Sequence, residues 1–466
     1  RSHIFGIKIP PLLLRNRGSS MKSLLLTKLT ILYFIHLVNI SQADDNLFTC
    51  VDSYVDGTDY FPQKALPEYA NFAVEYHNSY KVLSVSKASI DSVETGATIV
   101  LYQCGTPQPT VANADIYIPI PVSSVALAST VYIPYIELLG ERLSIDVVAT
   151  DLSLVASPCL NEMVVAGETV GAYDSSSWSI DNTVLQDQAV EATFVDGIWG
   201  DWSNLHNGIP VIEYTETSSH TSIMEWLLFF SYFYNKEAEA KAALEGISDR
   251  YDCHKDLVAD EEDKPNVLWI SSFWGGNFNF ASCPNYYCEL VQNAGGNLVN
   301  IGEGAVASGD AAALVGVAAS ADIILFADSW QAKVMDDPEV SNIVSAIPAV
   351  ANQNVYDVHG NGAQDWFESR YVEPDVVLED LISIFHNCVH PEHTRVWWRH
   401  AFREDPDSVD SCSGSSAWGE PLVTKADECA DSSDCEVTEA SAGAKPILSL
   451  MGALLTTCMT LLSWMQ

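Results

Sequence analysis

Residues 222–251 read Ser222-Ile-Met-Glu-Trp-Leu-Leu-Phe-Phe-Ser-Tyr-Phe-Tyr-Asn-Lys-Glu-Ala-Glu-Ala-Lys-Ala-Ala-Leu-Glu-Gly-Ile-Ser-Asp-Arg-Tyr251. Ser222 followed three residues later by Glu225 is the pattern of a capping box at a helix start. Ile223, Leu227, Phe230, Tyr234, Ala238 and Ala242 continue at helical spacing, with no proline before Tyr251. The stretch predicts one helix of roughly 30 residues, about 45 Å long at 1.5 Å per residue. On its N-terminal side, between residues 72 and 217, β-branched runs at 80–85, 98–103, 124–128, 145–149, 192–195 and 211–214 alternate with loops. Their separation of about twenty residues suits strands interleaved with helices. Beyond an acidic linker at 260–265 a second series follows, with strands at 267–271, 323–326 and 354–358 and helices at 286–294 and 374–387. The fold class expected is α/β, two α/β lobes joined by one long spine helix, with a ligand cleft between the lobes. No internal repeat of 20 to 50 residues is visible.

The 466 residues are 48% hydrophobic and 18% charged, a globular composition. Six of the 22 basic residues precede residue 44, so from Asp44 to Lys445 the remaining 16 face 62 acids, a net −46. A field of that sign repels phosphate backbones and anionic headgroups, which excludes nucleic-acid binding and a polybasic membrane contact. Residues 1–43 read as leader and secretory signal: 23–40 are largely apolar, and Ser41 and Ala43 suit cleavage before Asp44. An uncleaved signal anchor is the other reading. Residues 446–466 carry no charge, and Ser441-Ala442-Gly443 lies just upstream. This tail resembles a GPI-attachment signal, with a transmembrane helix as the alternative. The expected location is the extracellular face of a membrane, reached by secretion and held by a C-terminal anchor.

Ten cysteines lie outside the tail, an even set that implies disulfides in an oxidising compartment. Cys283 and Cys288 are spaced for a local bridge, and the other pairings stay open. The division expected is leader and signal (1–43), N-terminal extension (44–71), N-terminal lobe (72–217), spine (218–252), C-terminal lobe (253–393), acidic Cys-containing stalk (394–445) and hydrophobic tail (446–466).

Gly-x-Ser-x-Gly, His-Glu-x-x-His, P-loop and EF-hand patterns are all missing, and the chain reads as a non-enzyme. The informative residues are aromatics that follow strands. Trp199 and Trp202 follow 192–195, Trp274 and Phe278 follow 267–271, and Trp330 follows 323–326. Trp366, Phe367, Arg370 and Tyr371 follow 354–358. Doubly wound sheets bind ligands beyond the carboxyl ends of their strands. Indoles and phenols supply flat apolar walls with a polar edge, and Arg370 can pair with a ligand oxygen. Trp226, on the helix, reads as core.

The run Ile209-Pro-Val-Ile-Glu-Tyr214 entering the long helix resembles the class III substrate-binding proteins of ABC transporters, the siderophore, cobalamin and haem binders. So do Ala294-Gly-Gly-Asn297, Ala321-Asp-Ile-Ile-Leu-Phe326, Ile347-Pro-Ala-Val-Ala-Asn-Gln-Asn-Val-Tyr-Asp357 and Pro374-Asp-Val-Val-Leu-Glu-Asp380 with His390-Pro391. The stretches Tyr80-Lys-Val-Leu and Leu101-Tyr-Gln-Cys-Gly105 are similar to the variant found as algal surface proteins that take up ferric siderophores. The resemblance covers roughly 72–393. It implies a two-lobed binding protein that takes a ferric siderophore through its chelator, with no resident cofactor and no metal site of its own. It adds Tyr173 and Trp178, whose loop occupies the family's first cleft segment. It also puts His386 and His390 at the end of the closing helix, where His-Pro terminates it, in place of a zinc site. The expected partner is a small-molecule iron chelate, favouring neutral or cationic hydroxamates. The uptake component, reductase, endocytic receptor or permease, is not readable. Haem, another tetrapyrrole or cobalamin is the alternative ligand, and a surface adhesion protein with a closed cleft is the alternative class.

Overall fold

The computed structural model describes residues 45–85, 89–90, 93–94, 96–197, 200–211, 219–302, 304–409 and 411–429. The leader, the tail, Trp199, Cys435, Ser441 and residues 212–218 lie outside the described residues. Among those described, no helix is long and apolar enough to cross a membrane.

The β-branched runs form strands close to where they are expected, but they divide among three larger sheets. Phe72–Tyr76, Tyr80–Val85 and Thr98–Gln103 make an antiparallel meander, and Ile116–Ile120 joins its edge in parallel. The runs at 80–85 and 98–103 therefore do not belong to the α/β series, because a short turn at 77–79 allows only antiparallel pairing. The second sheet is wholly parallel, in the order Gly208–Val211, Ala192–Asp196, Val125–Leu127, Ile145–Val148, Val170–Gly171. The third has a parallel centre of Asn266–Trp274, Ile323–Phe326 and Val355–Asp357, with Asn297–Leu298 parallel beside the first of these. Antiparallel strands Asn277–Phe280 and Arg399–His400 flank that centre. Its central residues are buried on both faces, as helix-covered parallel strands must be. The fold is α/β and two-lobed, one lobe around each parallel sheet.

The segment between the lobes is helical but divided: His220–Met224, Trp226–Tyr234 and Glu237–Leu257. The start lies three residues before the expected one, with Ser219 and Ser222 forming the capping box. Glu225 instead accepts backbone N–H groups of Glu68, Tyr69 and Ala70 at 2.9, 2.6 and 2.7 Å, and so fastens the N-terminal extension. All nine residues of Trp226–Tyr234 are buried, and Phe229, Phe230 and Phe233 pack around Phe194 of the parallel sheet. Asn235 then turns left-handed, with φ +59°. A buried polar node holds that turn. Asn235 donates to Gln103 Oε1 and to the Leu47 carbonyl, while Lys81 Nζ lies 2.9 Å from Asn235 Oδ1 and 2.5 Å from Glu237 Oε1. Only the last piece is a spine, about 31 Å at 1.5 Å per residue.

The expected stalk is not one over 394–429. Trp397 and Trp398 are fully buried, Cys412 is bridged to Cys159 in the N-terminal lobe, and Cys429 to Cys253 on the spine. Arg142 of the N-terminal lobe donates to the carbonyls of Ala417, Trp418 and Glu420 at 3.0–3.1 Å. Lys425 pairs with Glu373 of the C-terminal lobe at 2.6 Å. The acidic, serine-rich composition hides this because its ties are covalent, aromatic and to distant partners. The segment is a strap across both lobes. The expected Cys283–Cys288 bridge is present, as is Cys50–Cys104.

Candidate functional site

The lobes meet where the loop after Ile145–Val148 faces the helix Asp365–Ser369, and one buried carboxyl group ties them. Glu368 is 1% exposed, and Ala156 and Ser157 each donate a backbone N–H to it at 2.8 Å. Next to it Glu137 accepts from Ser157 Oγ at 2.5 Å and from Arg142 Nε at 2.6 Å. Around this junction is a cavity of about 660 Å³, lined among others by Glu137, Asp365, Glu368, Asp407, Arg395 and Lys425, with the strap forming one wall. That volume lies within the range of small-molecule sites. Burial pushes Glu368 well above the usual carboxylate range, and Glu137 and Asp365 add to the effect. Burial works to lower Lys425, but the carboxylates of Glu373, Asp365 and Glu137 outweigh it and hold the ammonium above its ordinary value. Acids outnumber bases here, so the lining suits neutral or cationic groups.

The predicted site residues fall into three groups. Trp178 and Trp274 are 81% and 82% exposed. Trp178 sits on the hairpin Tyr173–Asp174/Ser179–Ile180, just beyond the end of the parallel strand Val170–Gly171, in a left-handed conformation (φ +53°) uncommon for a bulky residue. Trp274 ends the strand Asn266–Trp274 at a Gly275-Gly276 turn, whose positive φ values need glycine. Tyr173 is half-buried on the same hairpin as Trp178, and Phe367 is exposed at the lobe junction. Trp202 is half-buried against the N-terminal core.

Four of the expected ligand residues are core instead. Phe278 and Trp330 are fully buried and pack on either side of Phe326. Trp366 is 1% exposed among Trp269, Trp397 and Trp398. Tyr371 is buried against Tyr286. Arg370 is buried too, and its guanidinium is spent on protein groups: it donates to the Trp366 carbonyl at 2.8 Å and to the Tyr371 hydroxyl, and lies over the Tyr371 ring. It does not present itself to a ligand oxygen. A large aromatic after a strand serves a cleft or a core equally well, and here the strap's tryptophans decide for core. The cavity acids were missed, although Glu137 within Ile-Pro-Tyr-Ile-Glu-Leu stands as a carboxylate in an apolar run, a readable sign of a buried role; Glu368, within Asp-Trp-Phe-Glu-Ser, carries no such sign.

The family described as periplasmic binding protein is matched by residues 201–361, from just before the strand Gly208–Val211 of the N-terminal parallel sheet, through the interlobe helices, to the parallel centre of the C-terminal sheet. No curated protein matches the chain. Similar solved structures include a periplasmic binding protein from Veillonella parvula, 11% identical, covering 66% of this chain and 98% of its own, with a TM-score of 0.46. Another is the haem complex of IsdE from S. aureus, 16% identical over 56% of this chain and 98% of its own, TM-score 0.44. A third is an Fe3+-hydroxamate transport protein from Saccharomonospora viridis, 14% identical over 61% and 97%, TM-score 0.43.

Proposed function

We propose that the chain is a solute-binding protein that captures a ferric siderophore of the hydroxamate type outside the cell, in the manner of algal surface proteins for iron uptake. The observation that carries this reading is the pair of exposed tryptophans, Trp178 and Trp274, each on a hairpin at the carboxyl edge of one lobe's parallel sheet. Two bare indoles at those edges have no packing role in the protein itself, and the carboxyl edge is where α/β sheets take ligands. The iron would be held by its chelator, whose apolar arms lie on the indoles. The acid-rich lobe junction and the net −46 of residues 44–445 favour a neutral or cationic complex. Disulfides Cys50–Cys104, Cys159–Cys412, Cys253–Cys429 and Cys283–Cys288 agree with an oxidising, extracellular setting.

Calorimetric titration with a ferric trihydroxamate, a ferric tricatecholate and haemin, at low and high salt, tests the proposal. A covered indole buries up to about 200 Å², roughly 5 kcal/mol before association costs. Trp178→Ala and Trp274→Ala should therefore each weaken hydroxamate binding tenfold or more. Unchanged affinity in the double variant would remove the site. Tighter haemin binding with an iron-ligated absorbance band would move the reading to a tetrapyrrole.

A further inference from the structure

The spine and the closing helix Pro374–Phe385 meet at a cluster that plays no part in the lobe junction. His254 lies in the last turn of Glu237–Leu257, Glu379 in the middle of the closing helix, and His390 in the loop beyond it. His254 and Glu379 have side chains 1% exposed, and His390 is mostly buried. His254 Nε2 lies 3.7 Å from Glu379 Oε2, and His390 Nδ1 abuts Glu379 Oε1. One donor atom from each of the three residues lies within 4.8 Å of the others. None of these atoms, His254 Nε2, His390 Nδ1 or either Glu379 oxygen, has a hydrogen-bond partner. The three side chains meet in ion-pair approaches and not in well-formed hydrogen bonds, so buried polar groups are crowded together without ordinary hydrogen-bond satisfaction.

We propose that His254 Nε2, His390 Nδ1 and Glu379 form a site for a divalent transition metal, Zn2+ by its donor set, that staples the spine to the closing helix. Two imidazole nitrogens and a carboxylate are ordinary zinc ligands, bound at about 2.0–2.2 Å, and ligand atoms that all lie within 4.8 Å of one another are close enough for one ion to reach. The surroundings are built to hold the ligands. Cys253, beside His254, is bridged to Cys429, which fixes the end of the spine. His393 also lies against Glu379, its Nδ1 3.3 Å from the same Oε1 and 3.3 Å from Asp427 Oδ2. Its Nε2 is held by Asp380 at 2.8 Å, and Asp380 in turn accepts the backbone N–H groups of Val396, Trp397 and Trp398. His393 is thus a positioning residue for the carboxylate, the outer-shell arrangement that metal sites use. A sequence search for zinc spacing points at His386 and His390, which share the end of the closing helix; the structure pairs His390 with His254, 136 positions earlier, instead.

The site does not depend on the siderophore reading, since none of its residues lines the lobe-junction cavity. The test uses the full untagged chain, stripped of metal with a chelator and titrated with Co2+ alone. One equivalent should bind with the strong visible absorption of four-coordinate cobalt, be displaced by Zn2+, and raise the thermal midpoint. His390→Asn, in a loop and so compatible with folding, should weaken Co2+ binding by more than about 100-fold, beyond the effect of losing an outer-shell partner. Its thermal midpoint should no longer respond to metal. His77→Ala, at an exposed pair with Glu75, should bind as the parent does. A parent that shows no such band, or a His390→Asn variant with the parent's band and affinity, overturns the proposal.

Discussion

Replacing Glu368 by glutamine should loosen the joint between the lobes, and the size of the effect follows from its two bonds. Each oxygen of the buried carboxyl group accepts one backbone N–H, from Ser157 and from Ala156, at 2.8 Å. Glutamine keeps one acceptor and turns an N–H2 toward the other donor, so one hydrogen bond is lost and one buried N–H is left unmatched. Such a loss costs about 1–3 kcal/mol, more where the acceptor is charged. An opposing effect reduces it: burial, with Glu137 and Asp365 close by, already makes ionisation of Glu368 costly, and a neutral amide avoids that cost. A net destabilisation of about 2 kcal/mol is expected, a large share of the 5–15 kcal/mol that holds a typical domain. Denaturant unfolding measures the total. Hydrogen exchange locates it: the amides of Ala156 and Ser157 should exchange about tenfold faster for each 1.4 kcal/mol lost, while strands of the parallel sheets keep their rates. A change below about 0.5 kcal/mol with the two amides still protected would show that packing alone joins the lobes, and that the carboxyl group is incidental.

Serine at both Cys159 and Cys412 opens a link between residues 253 positions apart, and should lower stability by about 2–4 kcal/mol and expose 403–411 to protease; a strap as resistant as before would mean that Arg142 holds it unaided. Asp375 supplies a pH signature. Burial raises it from 3.8 to about 6, with Glu373 adding to the rise and Arg250, at 2.7 Å, opposing it. Between those values the folded chain keeps a proton that the unfolded chain has released, so stability falls by about 2 kcal/mol as pH climbs from 4 to 6, out of about 3 kcal/mol across the whole titration. Asp375→Asn should remove that slope from the pH dependence of the denaturation midpoint, and equal slopes would refute it. Lys81→Met strands Glu237 in the node under Asn235 and should cost about 3–5 kcal/mol; adding Glu237→Gln should recover part of it, and additive losses would contradict a coupled pair. Finally, small-angle scattering should change little when a ligand is added, and a large contraction would contradict lobes joined by both a spine and a strap.

The parallel strands were legible because helix-covered strands must be apolar on both faces, and runs such as Ile323–Phe326 have few other uses. The local Cys283–Cys288 bridge was legible because its two ends are five residues apart. The break at Asn235 was not, since the apolar spacing runs through it. A sign was present all the same: Trp226–Tyr234 is apolar on every side, a core helix, whereas Glu237–Leu257 has the charged face of a surface one. The site was least legible. Whether Trp366 lines a cleft or fills a core depends on Trp397 and Trp398, thirty residues on, and their place depends on a strap pinned by Cys159 and Cys253. No local pattern carries that information. Trp274 stands exposed at the end of its strand, where the chain turns through Gly275 and Gly276.

The strap also bears on how a ligand could enter. Swinging the lobes apart would break both Glu368 bonds and either the Lys425–Glu373 pair or the Arg142 bonds to the carbonyls of 417, 418 and 420. At about 1.5–3 kcal/mol for each bond to a charged group, an opened form lies at least about 4 kcal/mol above the closed one, near one molecule in a thousand. A ligand that bound only the opened form would have its apparent affinity reduced by the same thousandfold. A protein that scavenges a scarce solute gains nothing from that penalty. Capture is better served by surfaces already bare with the lobes joined, and Trp178 and Trp274 are such surfaces. If the two hairpins take the ligand as proposed, a strap that keeps the lobes joined would let binding rely on preformed geometry more than on closure.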